Sequence, residues 1–326
     1  MNNIINYLAA AILAGTPLLY ATLGEILTEK SGNLNLGVEG LMFMGAIGGL
    51  LGSYYYELTS LSPSAFITAL IALLCAFTTA AFGATLYGIL TIGLRANQNV
   101  SGLALSIFGT AFGNFFGEVL SISAGGYAAV GNVTKNAFNK GIGVLSELPY
   151  VGKILFSYNF LVYLAILLSL ALAWFLKYSR TGLNLRAVGE SPATADAAGI
   201  NVSKYKYLAT IIGGGLCGIG GLYIVMNSSN GVGGVWVHNC ISGQGWIAVA
   251  LVIFVTWNPA RAILGSIGFG ALSVMRLYIP LGISAQLYEL FPYLATIAVL
   301  LVVSMKKGRK NTAPNSLGIA YYREER

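Results

Sequence analysis

The side chains that most often make and break bonds are nearly absent from this sequence. There is one histidine, His238, and the three cysteines Cys75, Cys217 and Cys240 share no metal-ligand spacing. No HExxH, CxxC or P-loop pattern occurs. The sequence therefore nominates no catalytic residue, no metal ligand and no cofactor bound by this chain. What remains is hydrogen-bonding chemistry. Asn33, Asn35, Gly37 and Glu39 fall in one short stretch, and Asn97, Gln98 and Asn99 in another. Asn114 and Glu118 are four apart and share a helix face. Gln244 opens a short apolar run. Amides and hydroxyls with few fixed charges suit a neutral polar solute and suit a strongly charged one less well.

Each of these patterns also has a plainer reading. A carboxylate in the middle of a bilayer costs about 2.5–3.5 kcal/mol by insertion scales, and irregular backbone at depth needs protein or a water-filled cavity over it. Residues 29–40 are thus either a broken or re-entrant segment lining a path, or a polar inner loop in which Glu29 and Lys30 are solvated. Asn97, Gln98 and Asn99 either hydrogen-bond a solute or gate, or cap the helix that follows, a role that suits Asn99 best. Glu25 is expected to pair with an Arg or Lys. His238 reads as a loop residue.

The elements that must carry these groups are membrane helices. Hydrophobic residues are 56% of the chain and charged residues 9%, with a mean hydropathy of +0.74, whereas a soluble domain carries about 25% charged residues. Such a chain lacks the polar surface to face water. The 42 glycines are dispersed among Leu, Ile, Ala and Phe, the pattern that lets membrane helices cross closely; Gly213, Gly214, Gly215, Gly218, Gly220 and Gly221 are the densest case. Trp236, Trp257 and Tyr54–Tyr56 are expected as interface anchors.

A span needs about 20 apolar residues. Nine candidates follow one another: 4–27, 38–55, 65–94, 100–120, 158–176, 207–226, 245–257, 262–279 and 288–305. The run 245–257 is short for a crossing. The first is read as a true span, since no basic stretch and small-residue cleavage site accompany it. Orientation follows the Lys/Arg bias. With Lys306, Lys307, Arg309 and Lys310 inside, Arg261, Lys204, Lys206, Arg186, Arg180, Lys177, Arg95 and Lys30 also fall inside, and Lys135, Lys140 and Lys153 outside; Arg276 can snorkel outward. This placement, rather than nucleic-acid binding, accounts for the net charge of +7. The expectation is an all-α polytopic membrane protein of about eight to ten transmembrane helices, in the inner (plasma) membrane. Residues 1–305 form one transmembrane domain, with an outer loop at 121–159 and an inner loop at 177–206, and 306–326 form a basic cytoplasmic tail. The N-terminus lies outside.

The inner loop carries its own local code. Ser191 is a good N-cap residue, Pro192 fits the first helical position, the alanines favour helix, and Gly199 is a good stop because it turns left-handed cheaply. This predicts a short helix of about two turns, too short to cross. It is either a connector or a knob that docks into a cytoplasmic partner.

Residues 180–202 (RTGLNLRAVGESPATADAAGINV) resemble the cytoplasmic coupling segment of ABC importer permeases of the branched-chain amino acid/ribose type, closest to the nucleoside and simple-sugar branch. Three other stretches match the same branch in order: 24–40 (GEILTEKSGNLNLGVEG), 97–105 (NQNVSGLAL), and 243–254 (GQGWIAVALVIF) with Trp257-Asn258-Pro259. One departure is Gln244, where that branch often has Arg or a similar residue. The resemblance implies that Gly189, Glu190, Ser191, Pro192, Ala193, Ala195, Asp196 and Gly199 engage an ATPase. It also implies that Asn33, Asn35, Glu39, Asn97, Gln98, Asn114 and Gln244 lie along the substrate path.

The implied partners are a separate ABC ATPase subunit that uses ATP and Mg, a second and related permease (a heterodimer, with a homodimer as the alternative), an extracytoplasmic substrate-binding protein, and membrane lipid; no nucleic acid is implied. The implied solute is a nucleoside, with a simple sugar or riboflavin as alternatives. From the residues alone an ion-coupled secondary transporter stays open, since such proteins also break helices near the midplane; the chain has few mid-span carboxylates and lacks a clear internal duplication.

Overall fold

The computed structural model describes residues 2–139, 156–227, 233–280, 282, 284–305 and 313–322. Lys140, Lys153 and the cluster Lys306, Lys307, Arg309 and Lys310 lie outside the described residues. The elements are α1 (Asn2–Glu29), α2 (Val38–Thr59), α3 (Ala65–Gly88, continued by a π turn Ile89–Gly93), α4 (Gln98–Ser123), α5 (Asn132–Asn139) and α6 (Phe160–Tyr178). They continue with α7 (Arg180–Glu190), α8 (Pro192–Ala197), α9 (Val202–Met226), α10 (Gln244–Phe254), α11 (Pro259–Tyr278) and α12 (Ala285–Met305). Extended pairing among the described residues is limited to one isolated bridge between Ala129 and Val235.

Side chains start many of these helices. Asn97, Asn159, Ser179, Asn201 and Asn258 each accept a backbone N–H in the first turn of α4, α6, α7, α9 and α11, satisfying donors that helix geometry leaves free. The cap on α4 is Asn97, at 3.1 Å from the Val100 N–H, and not Asn99.

Among the described residues six helices are long and apolar enough to cross a bilayer: α1, α3 with its π turn, α4, α6, α9 and α11. α2 and α12, with 22 and 21 residues, also reach about 30 Å at about 1.5 Å per residue. With the short α10 this matches the expected span order, and the chain is a multi-pass membrane protein. α9 is the axis, packed on α1, α2 and α3. Its glycines set the spacing. A Cβ on Gly221 would collide with the Met42 carbonyl, one on Gly218 would lie 2.7 Å from the Ala76 carbonyl, and Gly24 meets the α9 backbone at Gly213. α11 packs along α1, and α4 along α2. The bundle thus has an end that carries α7 and α8 and an opposite end that carries α5.

Candidate functional site

At the first end, α7 and α8 form a bent pair before α9. Ser191 is the N-cap position of α8 and Pro192 its first residue. The Ser191 hydroxyl bonds Thr194 Oγ1 at 2.8 Å instead of the backbone N–H expected of it. Gly199 closes the helix at φ +82°, with the Ile200 N–H on the Ala195 carbonyl at 3.0 Å, the bonding of a left-handed helix stop. The face is divided. Glu190, Ala193, Thr194, Ala197, Ala198 and Gly199 are exposed, and Ser191, Pro192 and Asp196 are half-buried. Ala195 is buried with Val188 and Val202, and Gly189 is buried against the Lys30 carbonyl.

Between α1 and α2 the chain leaves helix geometry, as the sequence implied for this stretch, and residues 31–37 are buried or half-buried. Its backbone groups are satisfied by neighbours. The Leu34 N–H donates to Gln98 Oε1 at 2.7 Å, the Asn35 N–H to Glu25 Oε1 at 3.1 Å, and the Gly37 N–H to Asn35 Oδ1 at 2.8 Å. Ser106 Oγ donates to the Leu36 carbonyl at 2.8 Å, and Tyr87 OH to that of Leu34. Asn33 Nδ2 donates to Thr210 at 3.2 Å and Thr91 at 3.4 Å. Glu25 thus binds backbone, not the Arg or Lys expected. Burial holds Lys30 below the usual lysine range, against the pull of the Glu190 carboxylate. Asn33, Asn35 and Gln98 form an enclosed cluster. Asn33 Oδ1, Asn35 Nδ2, Gln98 Nε2 and Glu25 Oε2 have no hydrogen-bond partner among the described residues.

A second break lies beyond α9. Residues 233–236 pair with the stretch after α4, the Val130 N–H donating to the Gly234 carbonyl and the Trp236 N–H to that of Ala128, both at 2.8 Å. Trp236 packs on Gly117 of α4. Three residues later Asn239 meets Asn114, its N–H on Asn114 Oδ1 at 3.1 Å and its Oδ1 accepting from Asn114 Nδ2 at 2.9 Å. The chain then reaches Glu39, where Oε1 accepts the Gly243 N–H at 2.8 Å and Oε2 the Gly245 N–H at 2.7 Å. Gly40, beside Glu39, abuts Gly109, about 16 Å up α4 from Gln98 at about 1.5 Å per residue. α10 therefore starts inside the bundle. Its 11 residues give about 16 Å, half a bilayer core. Asn239, Ser242, Thr256 and Trp257 all adopt positive φ, a conformation costly for residues other than glycine, so both ends of α10 turn sharply. At its far end Trp257 Nε1 donates to Glu29 Oε2.

The structure therefore separates the predicted path residues. Asn33, Asn35 and Gln98 are enclosed near the α7–α8 end, with Asn97 exposed as a cap. Glu39, Asn114 and Gln244 gather at mid-height around the start of α10, where His238, Asn239, Ser242 and Trp246 are exposed and Gln244 half-buried. Trp236 and Trp257, expected as interface anchors, are 7% and 8% exposed and serve the bundle interior. Asn239, Ser242, Glu29 and Trp257 were missed as site residues. The signal for the first two was a polar run ahead of an apolar helix too short to cross.

Residues 7–300 match the family described as Branched-chain amino acid transport system / permease component. The "Putative glucose ABC transporter permease protein TsgC13" of Haloferax volcanii is 35% identical, covering 97% of this chain and 97% of that protein. The "Nucleoside ABC transporter permease protein NupC" of Lactococcus lactis subsp. cremoris is 31% identical, covering 99% and 100%. The "Guanosine ABC transporter permease protein NupQ" of Bacillus subtilis is 32% identical, covering 97% and 96%.

Proposed function

The chain belongs to the family of branched-chain amino acid transport system permease components, and from that premise we propose that it is the membrane subunit of an ATP-binding-cassette importer that carries nucleosides. The single observation that carries the reading is the pairing of two features at different heights of one bundle. α8 offers a small, exposed face of Ala193, Thr194, Ala197 and Ala198 at one end. A half-helix with uncharged polar groups at its start lies midway along the bundle.

In this reading the α8 face sits in a groove of a separate ATPase, which binds ATP and Mg; this chain supplies no catalytic group. ATP binding moves α8, and the bundle rocks between two states. Asn114, Asn239, Ser242 and Gln244 face the solute, and the exposed Trp246 ring offers a surface on which a base can stack. Gln98, Asn33 and Asn35 form the closed inner wall. A second, related permease completes the path and an extracytoplasmic binding protein delivers the solute. The α8 end faces the cytoplasm with the C-terminus, and the N-terminus lies outside, in the plasma membrane.

Similarity to nucleoside and guanosine permeases at 31% and 32% identity supports the solute class. The 35% identity to TsgC13 favours a second reading, a simple sugar. ATP-dependent uptake of radiolabelled nucleosides into proteoliposomes holding the complete transporter tests both. Competition by other nucleosides and not by glucose or ribose supports the first reading. Competition by sugars alone transfers the proposal to the second. Uptake driven by a proton gradient without ATP sinks the importer assignment.

A further inference from the structure

The segment 313–322 returns to the α7–α8 end and joins elements that are far apart in sequence. Ser316 is 7% exposed. Its N–H donates to the Gly189 carbonyl at 3.1 Å, and its hydroxyl donates to the same oxygen. The Asn315 N–H reaches Glu190 Oε2 at 3.4 Å. Six residues after Asn315, Tyr321 OH donates to Asp196 Oδ2 at 2.9 Å, while its ring packs on the Val188, Ala195 and Val202 cluster. The Tyr322 ring lies under the Arg95 guanidinium at 4.7 Å, in the link between α3 and α4. Gly318 sits against Leu34, and Ser316 Oγ against Gly32, both in the α1–α2 link.

Three structures thus meet on one short strap: the α7–α8 pair, the link 30–37 and the α3–α4 link that leads into α4. Apart from the strap, the α7–α8 pair is joined to α6 through Gly182 on the Phe175 carbonyl, to α9 through Asn184 on the Tyr205 hydroxyl at 3.0 Å and through Val188 and Ala195 on Val202, to the main core through Leu185, and to the α1–α2 link through Gly189 on Lys30. Coupling between distant sites travels through contiguous packed and hydrogen-bonded groups that shift together. A knob that hinged freely at Ser179 and Asn201 would follow the ATPase without moving α1 and α2.

We propose that the strap 313–322, through Ser316, Tyr321 and Tyr322, locks α7 and α8 to the α1–α2 link and to the α3–α4 link that leads into α4, so that they move as one body when the ATPase moves α8. Ser316 and Tyr321 are positioning residues in this scheme. The proposal rests on the assignment of α8 as the ATPase-docking element.

The test uses the full transporter with its ATPase, reconstituted in lipid. Spin labels on cysteines at Ala197 and Asn99, both exposed, report the separation of α8 from the start of α4 with and without ATP. With the native strap one narrow separation is expected in both states. In the Ser316→Ala, Tyr321→Phe double variant the distribution broadens about twofold on ATP addition, reflecting hydrogen bonds that each contribute modestly, and solute moved per ATP falls. An equally narrow distribution in the double variant, with ATP, overturns the proposal. A separate signal isolates its premise: a cysteine at Ala193 cross-links to the ATPase whether or not the strap is altered. Failure of that cross-link with the native strap overturns the α8 assignment and the strap proposal with it.

Discussion

Glu39 accepts the backbone N–H of Gly245 at 2.7 Å, so a carboxylate of α2 completes the first turn of α10. A helix that begins inside a bilayer leaves its first N–H groups without water to bind. A carboxylate answers both the missing acceptors and the positive end of the helix dipole. The opposite end is tied to the same hairpin through Trp257 and Glu29. α10 is therefore fixed at both ends by residues that flank the α1–α2 link, and the polar surface at its start is only as well placed as Glu39 is.

Glu39→Gln keeps the size but turns one acceptor into a donor facing an N–H. An unpaired buried group costs about 1–3 kcal/mol, so the thermal midpoint of the purified transporter should fall by several degrees. ATP-driven uptake should fall about tenfold or more, while ATPase co-purification is unchanged. Glu39→Asp should restore part of the uptake, and uptake at the native level in Glu39→Gln would remove Glu39 from the site.

Asn114 and Asn239 exchange two hydrogen bonds in an exposed position. If both present their remaining polar atoms to the solute, Asn114→Ala and Asn239→Ala should each raise the half-saturating solute concentration several-fold and leave maximal ATPase activity alone. A double-mutant cycle should show a coupling of about 0.5–3 kcal/mol, as for groups in direct contact. Additive effects would mean that the pair contributes no shared surface.

Ala193 and Ala195 lie two positions apart on α8 and face opposite ways, the first exposed and the second buried. Ala193→Trp should abolish ATPase co-purification with the chain still folded. Ala195→Trp overpacks the Val188–Val202 cluster, a change that costs about 1–3 kcal/mol, and should lower the thermal midpoint as well. Co-purification of the ATPase with the Ala193→Trp chain at native yield would place the docking surface elsewhere.

Much of this was legible in the chain. The order of the spans follows from apolar runs, because each crossing needs its own length of hydrocarbon. The stop of α8 at Gly199 follows from local backbone chemistry, as does a cap for α4, although that cap is Asn97 and not Asn99. What was not legible depends on partners remote in sequence. The polar stretch 29–40 signalled a break, but nothing local says that Glu39 serves α10 while Asn33 and Asn35 are enclosed. Glu25 looked like half of an ion pair because the Asn35 N–H that it binds is a backbone group and carries no residue type. The strap 313–322 was hidden for the same reason: Ser316 and Tyr321 are ordinary tail residues until Gly189 and Asp196 are brought to them.

The glycines offer a prediction in which one chemical change acts in two directions. Gly221 of α9 faces the Met42 carbonyl, whereas a Cβ on Gly268 of α11 meets nothing within 4 Å. Gly221→Ala must push α9 from α2, and overpacking of this kind costs about 1–3 kcal/mol. Gly268→Ala adds only helix propensity, worth about 1 kcal/mol in its favour. Thermal unfolding of the purified chain in detergent should therefore show a lower midpoint for the first and an unchanged or higher one for the second. If α9 is the axis on which α1, α2 and α3 turn, Gly221→Ala should also slow ATP-driven uptake more than its stability loss accounts for. Equal and small effects at both sites would mean that the α9–α2 contact yields easily, and that α9 does not set the spacing of the bundle.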